Sequence, residues 1–413
     1  MGKSSGQKPL FDEDAAINFL TDWKIRLRLN LISREIEIDG LPDFFREDRL
    51  NNFFIWSFDE VRHDFSVSRQ HADDLFRLLA CKSAYNPIAD ILRNVPLDVN
   101  SDHLSELFQI MNIPTSDSLS RTLIKKACLQ AIALAYNKTD TPQGADGILV
   151  LCGKQGIGKT SIVAQLGINP SLFRLGLNID FKDKDTVYRA VTTFLGEIAE
   201  IESTLRSDPE RLKAFITNPI DEIRLPYARY STKLPRRASF FGTCNSEDFL
   251  CDPTGSRRFW VIPLEKIDLA GLKEFDTLAF WKEMEYRFLN EDLAGRGNTC
   301  FRLTAAEQEA LRERNSNYQK ALPAQLEVSD ILHTSLGGNE FKWVYTTTSE
   351  FKSCFEVLKP YSVQKIAKAL DALGIEQVRR RVNGVACRVR LLPLPKYVAT
   401  RWNSAAVNEV NEA

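Results

Sequence analysis

The spacing of apolar and polar positions changes along the chain, and each change predicts a different element. Between Ala15 and Asp117 amphipathic helical patterns alternate with polar breaks; Ala72, Leu75, Phe76, Leu78, Leu79 and Ala80 show the helical period. The segment Ile36-Glu37-Ile38-Asp39-Gly40 instead alternates and then turns, which predicts a short strand. Arg121 to Tyr136 predicts a helix with Leu123, Ile124, Ala127, Cys128, Ala131, Ile132 and Ala135 on one face. The apolar run Ile148 to Cys152 then reads as a buried strand, and Ser161 to Leu166 as a helix stopped by Gly167. Three more runs read as strands: Val191 to Leu195, Ala238 to Thr243 and Phe259 to Pro263. Strands interleaved with helices predict a mostly parallel sheet that binds ligands at the carboxyl ends of its strands.

Beyond this α/β core the pattern changes again. Thr304-Ala305-Ala306-Glu307 forms a capping box that opens a charged connector helix. Ser362 caps a helix with Val363, Ile366, Leu370 and Leu373 inward, ended at Gly374. Two runs, Glu376 to Val382 and Val385 to Leu392, flank Asn383-Gly384, a strong hairpin signal, and together predict a small winged-helix-like module. The organisation expected is a mostly helical N-terminal domain (1–117), a core (118–300), a connector (301–325), and the winged-helix-like domain with a flexible tail after Trp402 (326–413).

Charge narrows the partners. A formal net charge of −1 means that any contact with nucleic acid comes from local basic patches rather than a global field. No apolar run is long enough to span a bilayer and the N-terminus has no secretory h-region, so a cytoplasmic location without membrane contact is expected. Eight cysteines without a C-x-x-C pair, beside four histidines, argue against a zinc site or a disulfide framework.

The chemistry concentrates after the first core strand. Gly153-Lys154-Gln155-Gly156-Ile157-Gly158-Lys159-Thr160 fits the P-loop pattern and lies between a strand and a helix, where backbone N–H groups can cradle phosphates. The residues expected around ATP are therefore Gly153, Gln155, Gly156, Ile157, Gly158, Lys159, Thr160 and Ser161, with Lys159 on the outer phosphates and Thr160 on Mg²⁺. Hydrolysis further needs an acid near the tip of a neighbouring strand. Glu197 and Glu200 are the candidates, Glu197 at the tip and Glu200 just beyond; a solvated acidic turn is the bland alternative. Asn245, ending the run Phe240 to Cys244, is placed to contact the γ-phosphate or its water. Arg257 and Arg258, on a turn entering a strand, suit a transition-state phosphoryl group, as against a surface pair bridging local carboxylates.

Two patches suit DNA. Residues 223–237 include Arg229, Tyr230, Lys233, Arg236 and Arg237 with no acid between them, so phosphate contacts and base stacking are both available. The second is the C-terminal hairpin with Arg380 and Arg381. Either also reads as a solvated charged face.

Taken together, the blocks GKQGIGKTS, GEIAEIE, PYARYSTKLPRRASFFGTCN and DPTGSRRFW resemble the virulence-associated E family of phage, plasmid and island proteins, related to superfamily 3 and primase-helicase ATPases. The resemblance implies an AAA+-like P-loop core with Lys159 and Thr160 as the Walker A pair. It also implies Glu197 and Glu200 as Walker B acids, Glu197 on the metal, Asn245 as sensor 1, and Arg257 or Arg258 as an arginine finger; Lys213 and Arg236 fall on further motif positions. One departure is that the Walker B run holds two threonines and ends Gly-Glu rather than Asp-Glu. The implied activity is that of an ATP- and Mg²⁺-dependent helicase-like motor on single-stranded or forked DNA. It would work as a ring, read as a hexamer, during replication of a mobile element in a bacterial host, beside host or element replication proteins. An origin-binding initiator or switch that uses ATP without unwinding is the alternative.

Overall fold

Helices dominate the first hundred residues because their apolar positions converge on one aromatic core. The computed structural model describes residues 8–42, 47–223, 231–245, 250, 256–291, 300–318, 323–337, 340–382, 385–403 and 408–409. They fall into two compact units, one within 1–247 and 257–314, the other within 248–256 and 315–413. In the first, helices Glu13–Asp22, Arg49–Asp64 and Arg69–Lys82 enclose Phe11, Phe53 and Phe76. Strands β1 (Arg26–Leu29) and β2 (Ile36–Asp39) form an antiparallel pair beside them. Asp12 and Ser68 cap the first and third of these helices by accepting from backbone N–H groups, satisfying donors the helix leaves orphaned.

The centre of this unit is a five-stranded parallel sheet. Its strands are β3 (Ile148–Cys152), β4 (Phe173–Leu177), β5 (Leu195–Ile198), β8 (Ser239–Cys244) and β9 (Phe259–Pro263), in the order β4-β5-β8-β3-β9. Strands β6 (Ile220–Ile223) and β7 (Thr232–Pro235) form a separate antiparallel pair inserted before β8. β3 is buried at every position, which is why it reads as a continuous apolar run instead of alternating; β5 is equally buried but carries Gly196 and Glu197. Helix Ser118–Ala135 packs its buried face, including Leu123, Cys128, Ala131 and Ile132, into the same core as Phe241, Trp260 and Trp281. The indole of Trp281, on helix Thr277–Glu291, donates to Leu166 O at 2.8 Å and so ties that helix to the end of helix Lys159–Leu166.

Two sequence expectations change here. Val191 to Leu195 is not a strand: helix Lys184–Val191 occupies its start, and only Leu195 belongs to β5. Thr192 donates to Tyr188 O and Thr193 to Leu172 O and Leu195 O, so the β-branched pair closes a helix and a turn and does not enter the sheet. The edge strand β4 gave no apolar run, because as an edge it is only half-buried or exposed.

The second unit places helices Pro323–Gly337, Thr348–Cys354, Val363–Ala372 and Lys396–Asn403 with an antiparallel sheet. That sheet runs β10 (Phe341–Thr346), β12 (Val385–Pro395), β11 (Val378–Val382) and β13 (Asn408–Glu409). Its core includes Val328, Val344, Phe351, Ile366, Leu370, Leu392 and Leu394. Val382 pairs with Val385, so the β11–β12 connection is two residues long, and Asn383 and Gly384 themselves lie outside the described residues. Residues 408 and 409 pair with β11, and the rest of the expected tail after Asn403 lies outside the described residues.

Candidate functional site

Because the five strands are parallel, all their carboxyl ends share one edge, where backbone leaves the sheet and side chains converge. The chain leaves β3 there as loop 153–158 and enters helix Lys159–Leu166. Gly158 holds φ at +103°, a conformation that L side chains rarely adopt, and Gly153 approaches Leu264 O so closely that a Cβ would lie 2.2 Å from it. Gly153 N also donates to Cys244 O at 3.2 Å, which fixes the loop's start against the end of β8.

Lys159 lies inside this loop, 6% exposed. Its Nζ donates to Gly153 O at 2.7 Å, Lys154 O at 2.8 Å and Asn245 Oδ1 at 2.9 Å. Burial lowers the Lys159 pKa below its ordinary value, yet three oxygen acceptors suit the charged ammonium. Thus two residues 86 positions apart, Lys159 and Asn245, are in contact.

Glu197 is the second focus. It lies within β5, 1% exposed. Its Oε1 accepts from Thr160 Oγ1 at 2.6 Å and from Thr243 Oγ1 at 2.9 Å, and its Oε2 accepts from Gly176 N at 3.2 Å. A buried carboxylate is costly unless it is supplied with donors, and here it has three. Glu200 differs in kind: it lies exposed just beyond β5 at φ 45°, and its carbonyl accepts from Ser203 at the start of helix Ile201–Ser207. Sequence reasoning missed Thr243 and Gly176. Thr243 had a signal, since it is a polar residue near the end of the run that leads to Asn245; Gly176 acts through its backbone and left none.

Gln155, Gly156, Thr160 and Ser161 are exposed around the loop, and Ile157 is half-buried against the core. Among the described residues no group of three or more His, Cys, Asp or Glu side chains gathers as a metal cage. The nearest fit for a hard cation is the Thr160 hydroxyl with the Glu197 carboxylate, an all-oxygen pair of the kind Mg²⁺ uses when most of its ligands are water and phosphate.

Arg257 and Arg258 occupy the other edge of the sheet. They form a short 3₁₀ turn that leads directly into β9, whose Phe259 is in register with Ile148 at the start of β3. A five-residue strand separates that edge from the glycine loop, a span of about 13–16 Å. With Arg302, which the sequence did not single out, they line a cavity of about 420 Å³ bounded by Gly144 and Asp146.

The basic segment before β8 divides into two parts. Arg229 and Tyr230 lie outside the described residues, and Lys233 is exposed on β7 opposite Glu222. Arg236 and Arg237 are corrected as surface DNA contacts, because both are buried. Arg236 donates through Nε and Nη2 to Asp221 at 2.6 and 2.5 Å and through Nη1 to Phe215 O at 3.0 Å, with its guanidinium 4.5 Å from the Phe215 ring centre. Arg237 donates to Asn137 O at 3.1 Å and Leu31 O at 3.4 Å. Arg34, which burial and then neighbouring Arg237 lower to about 10 against the opposing pull of Asp221, adds a third guanidinium to this network. Lys213 is buried too, 3.1 Å from Glu210. In the second unit Arg381 is exposed on β11 and Arg380 lies 3.6 Å over the Tyr345 ring.

Comparison with solved structures finds the A-form apo structure of the NrS-1 C-terminal region, 12% identical, covering 94% of this chain and all of that one at a TM-score of 0.47. A second A-form apo structure of that region, residues 305–718, is 12% identical at a TM-score of 0.48, covering 92% of this chain and 99% of its own. No curated protein matches the chain. The virulence-associated protein E-like domain matches residues 94–320, more than half of the chain, a span that includes Lys159, Glu197, Asn245 and the Arg257-Arg258 turn. The chain belongs to the virulence-associated protein E-like domain family.

Proposed function

We propose that this chain hydrolyses ATP with Mg²⁺ at the loop 153–158 and uses the energy as a helicase-like motor in the replication of mobile-element DNA. The observation that carries the reading is the meeting of Lys159, Thr160, Glu197, Thr243 and Asn245 at the carboxyl edge of one parallel sheet. Lys159 would exchange its loop and Asn245 oxygens for outer phosphate oxygens, which are stronger acceptors for an ammonium. Glu197, buried and held by three donors, suits a fixed anion opposite the cation, with Thr160 as the second oxygen ligand. Glu200, exposed just past the strand, suits orientation of the attacking water. Mg²⁺, when bound, would neutralise charge on the phosphoryl oxygens.

Ring assembly is part of the proposal. Arg257 and Arg258 sit a strand length from their own chain's Lys159, so a catalytic role for them requires the site of a neighbouring copy. A hexamer is the number we assign, in line with superfamily 3 motors. For DNA, Lys233 with Arg229 and Tyr230 form the proposed channel contact, Arg236 and Arg237 build its root, and Arg380 and Arg381 belong to a second contact. The winged-helix reading of the C-terminal unit rests on its helices and the β11–β12 pair. The test is displacement of a labelled strand from forked DNA with ATP. Displacement by the wild-type chain and none by Lys159→Ala is the expected result; hydrolysis without displacement would make the protein a switch.

A further inference from the structure

A second cavity, of about 460 Å³, opens beside the edge strand β4 and is lined by Arg174, Leu175, Leu177, Asn178, Thr186 and Arg189. Arg174 comes from β4 itself and Arg189 from the last turn of helix Lys184–Val191, so the two guanidinium groups belong to different elements and face one space. Among the described residues neither side chain has an ion pair or a hydrogen bond, and Arg174 Nε is buried without a partner. Nearby acids are committed elsewhere. Asp180 accepts from Lys182 N at 2.8 Å and Asp183 from Asp185 N at 2.9 Å, which leaves them as loop and cap residues.

We propose that this cavity is a phosphate-binding site, separate from loop 153–158, in which Arg174 and Arg189 grip the oxygens of one phosphoryl group. Two arginine forks match a phosphate's paired oxygens better than they match a lone carboxylate or a halide. The Asn178 amide lining the same space supplies a neutral donor, whereas the Thr186 hydroxyl is committed to Asp180 O and Asp183 O, each at 2.9 Å. The Arg174 Nε is buried without a hydrogen-bond partner, so this guanidinium is not committed to a protein acceptor. The phosphoryl group can belong to a free phosphate compound or to a nucleic-acid backbone, which present the same oxygens. None of the lining residues belongs to loop 153–158, although Gly176, which also lines the cavity, donates its N–H to Glu197 Oε2 at 3.2 Å.

The test uses the full chain carrying Lys159→Ala, so that uptake at loop 153–158 does not contribute. Inorganic pyrophosphate is titrated by calorimetry, and a labelled twenty-residue oligothymidylate by anisotropy at several salt concentrations. Adding Arg174→Ala and Arg189→Ala is expected to weaken pyrophosphate binding at least about tenfold, the scale for removing two charge-assisted hydrogen-bond donors. If the source is a backbone, the oligonucleotide's salt slope also falls, by about 0.7 for each phosphate no longer neutralised; if it is a free phosphate compound, the slope stays. Arg189→Glu, at an exposed position that leaves the fold intact, is expected to weaken at least one probe as well. Binding of both probes equal to the parent in Arg189→Glu would overturn the proposal, whatever the double variant does.

Discussion

Replacing Arg236 by Met should unfold the root of the β6–β7 pair rather than merely weaken a DNA contact. Arg236 is fully buried, and its guanidinium makes three hydrogen bonds, two of them to Asp221, which is itself 7% exposed. Met fills much of the volume against Phe215 and Phe240 but leaves the Asp221 carboxylate without its bidentate donor. Removing one partner of a buried ion pair costs about 3–5 kcal/mol. At about 1.5–2 °C per kcal/mol, the scale for a unit of about 300 residues, the first unit should melt roughly 5–10 °C lower. The assay is thermal unfolding followed by circular dichroism, on the single variant and on Arg236→Met with Asp221→Leu. The double variant should recover most of the loss, since an apolar pair avoids the desolvation of two charges. Recovery should stop short of complete, because Arg34 also draws on Asp221. An Arg236→Met chain melting within about 2 °C of wild type would refute the reasoning.

The remaining predictions concern turnover and DNA. Glu200→Gln should bind ATP and Mg²⁺ yet hydrolyse slowly, whereas Glu197→Gln should weaken metal-dependent nucleotide binding; titrations with and without Mg²⁺, beside phosphate release, separate the two. Arg257→Ala or Arg258→Ala should lose hydrolysis with binding intact, and mixing either with Lys159→Ala chains should restore part of it through mixed interfaces. No rescue despite demonstrated subunit exchange would refute action in a neighbour's site. Lys233→Ala, exposed on β7, should lower the salt slope of single-stranded DNA binding by about 0.7 and remove DNA stimulation while basal hydrolysis persists.

What was legible in the sequence follows from how each residue does its work. The strand–loop–helix around Lys159 could be read because its glycines and buried apolar runs leave local marks, and β8 and β9 showed for the same reason. The capping box also formed as read, with Thr304 N donating to Glu307 Oε2 at 2.7 Å and Glu307 N to Thr304 Oγ1 at 3.3 Å. β4 escaped because an exposed edge strand needs no apolar run, and Thr192-Thr193 misled because β-branched residues also close turns with their hydroxyls. Arg236 and Arg237 read as surface charge since their acceptors, Asp221, Phe215 O and Asn137 O, are distant in sequence or belong to backbone. The support of Glu197 by Gly176 N was invisible for that last reason.

The central claim is that loop 153–158 binds a nucleotide whose outer phosphates are held by Lys159, and steady-state phosphate release tests it most directly. The wild-type chain should release phosphate from ATP in a Mg²⁺-dependent manner. Lys159→Ala should lose that release by a factor of at least about 10², the scale reached when a charge-stabilising donor is removed from such a site, while its unfolding profile stays close to wild type. Equal turnover by Lys159→Ala and wild type would contradict the account.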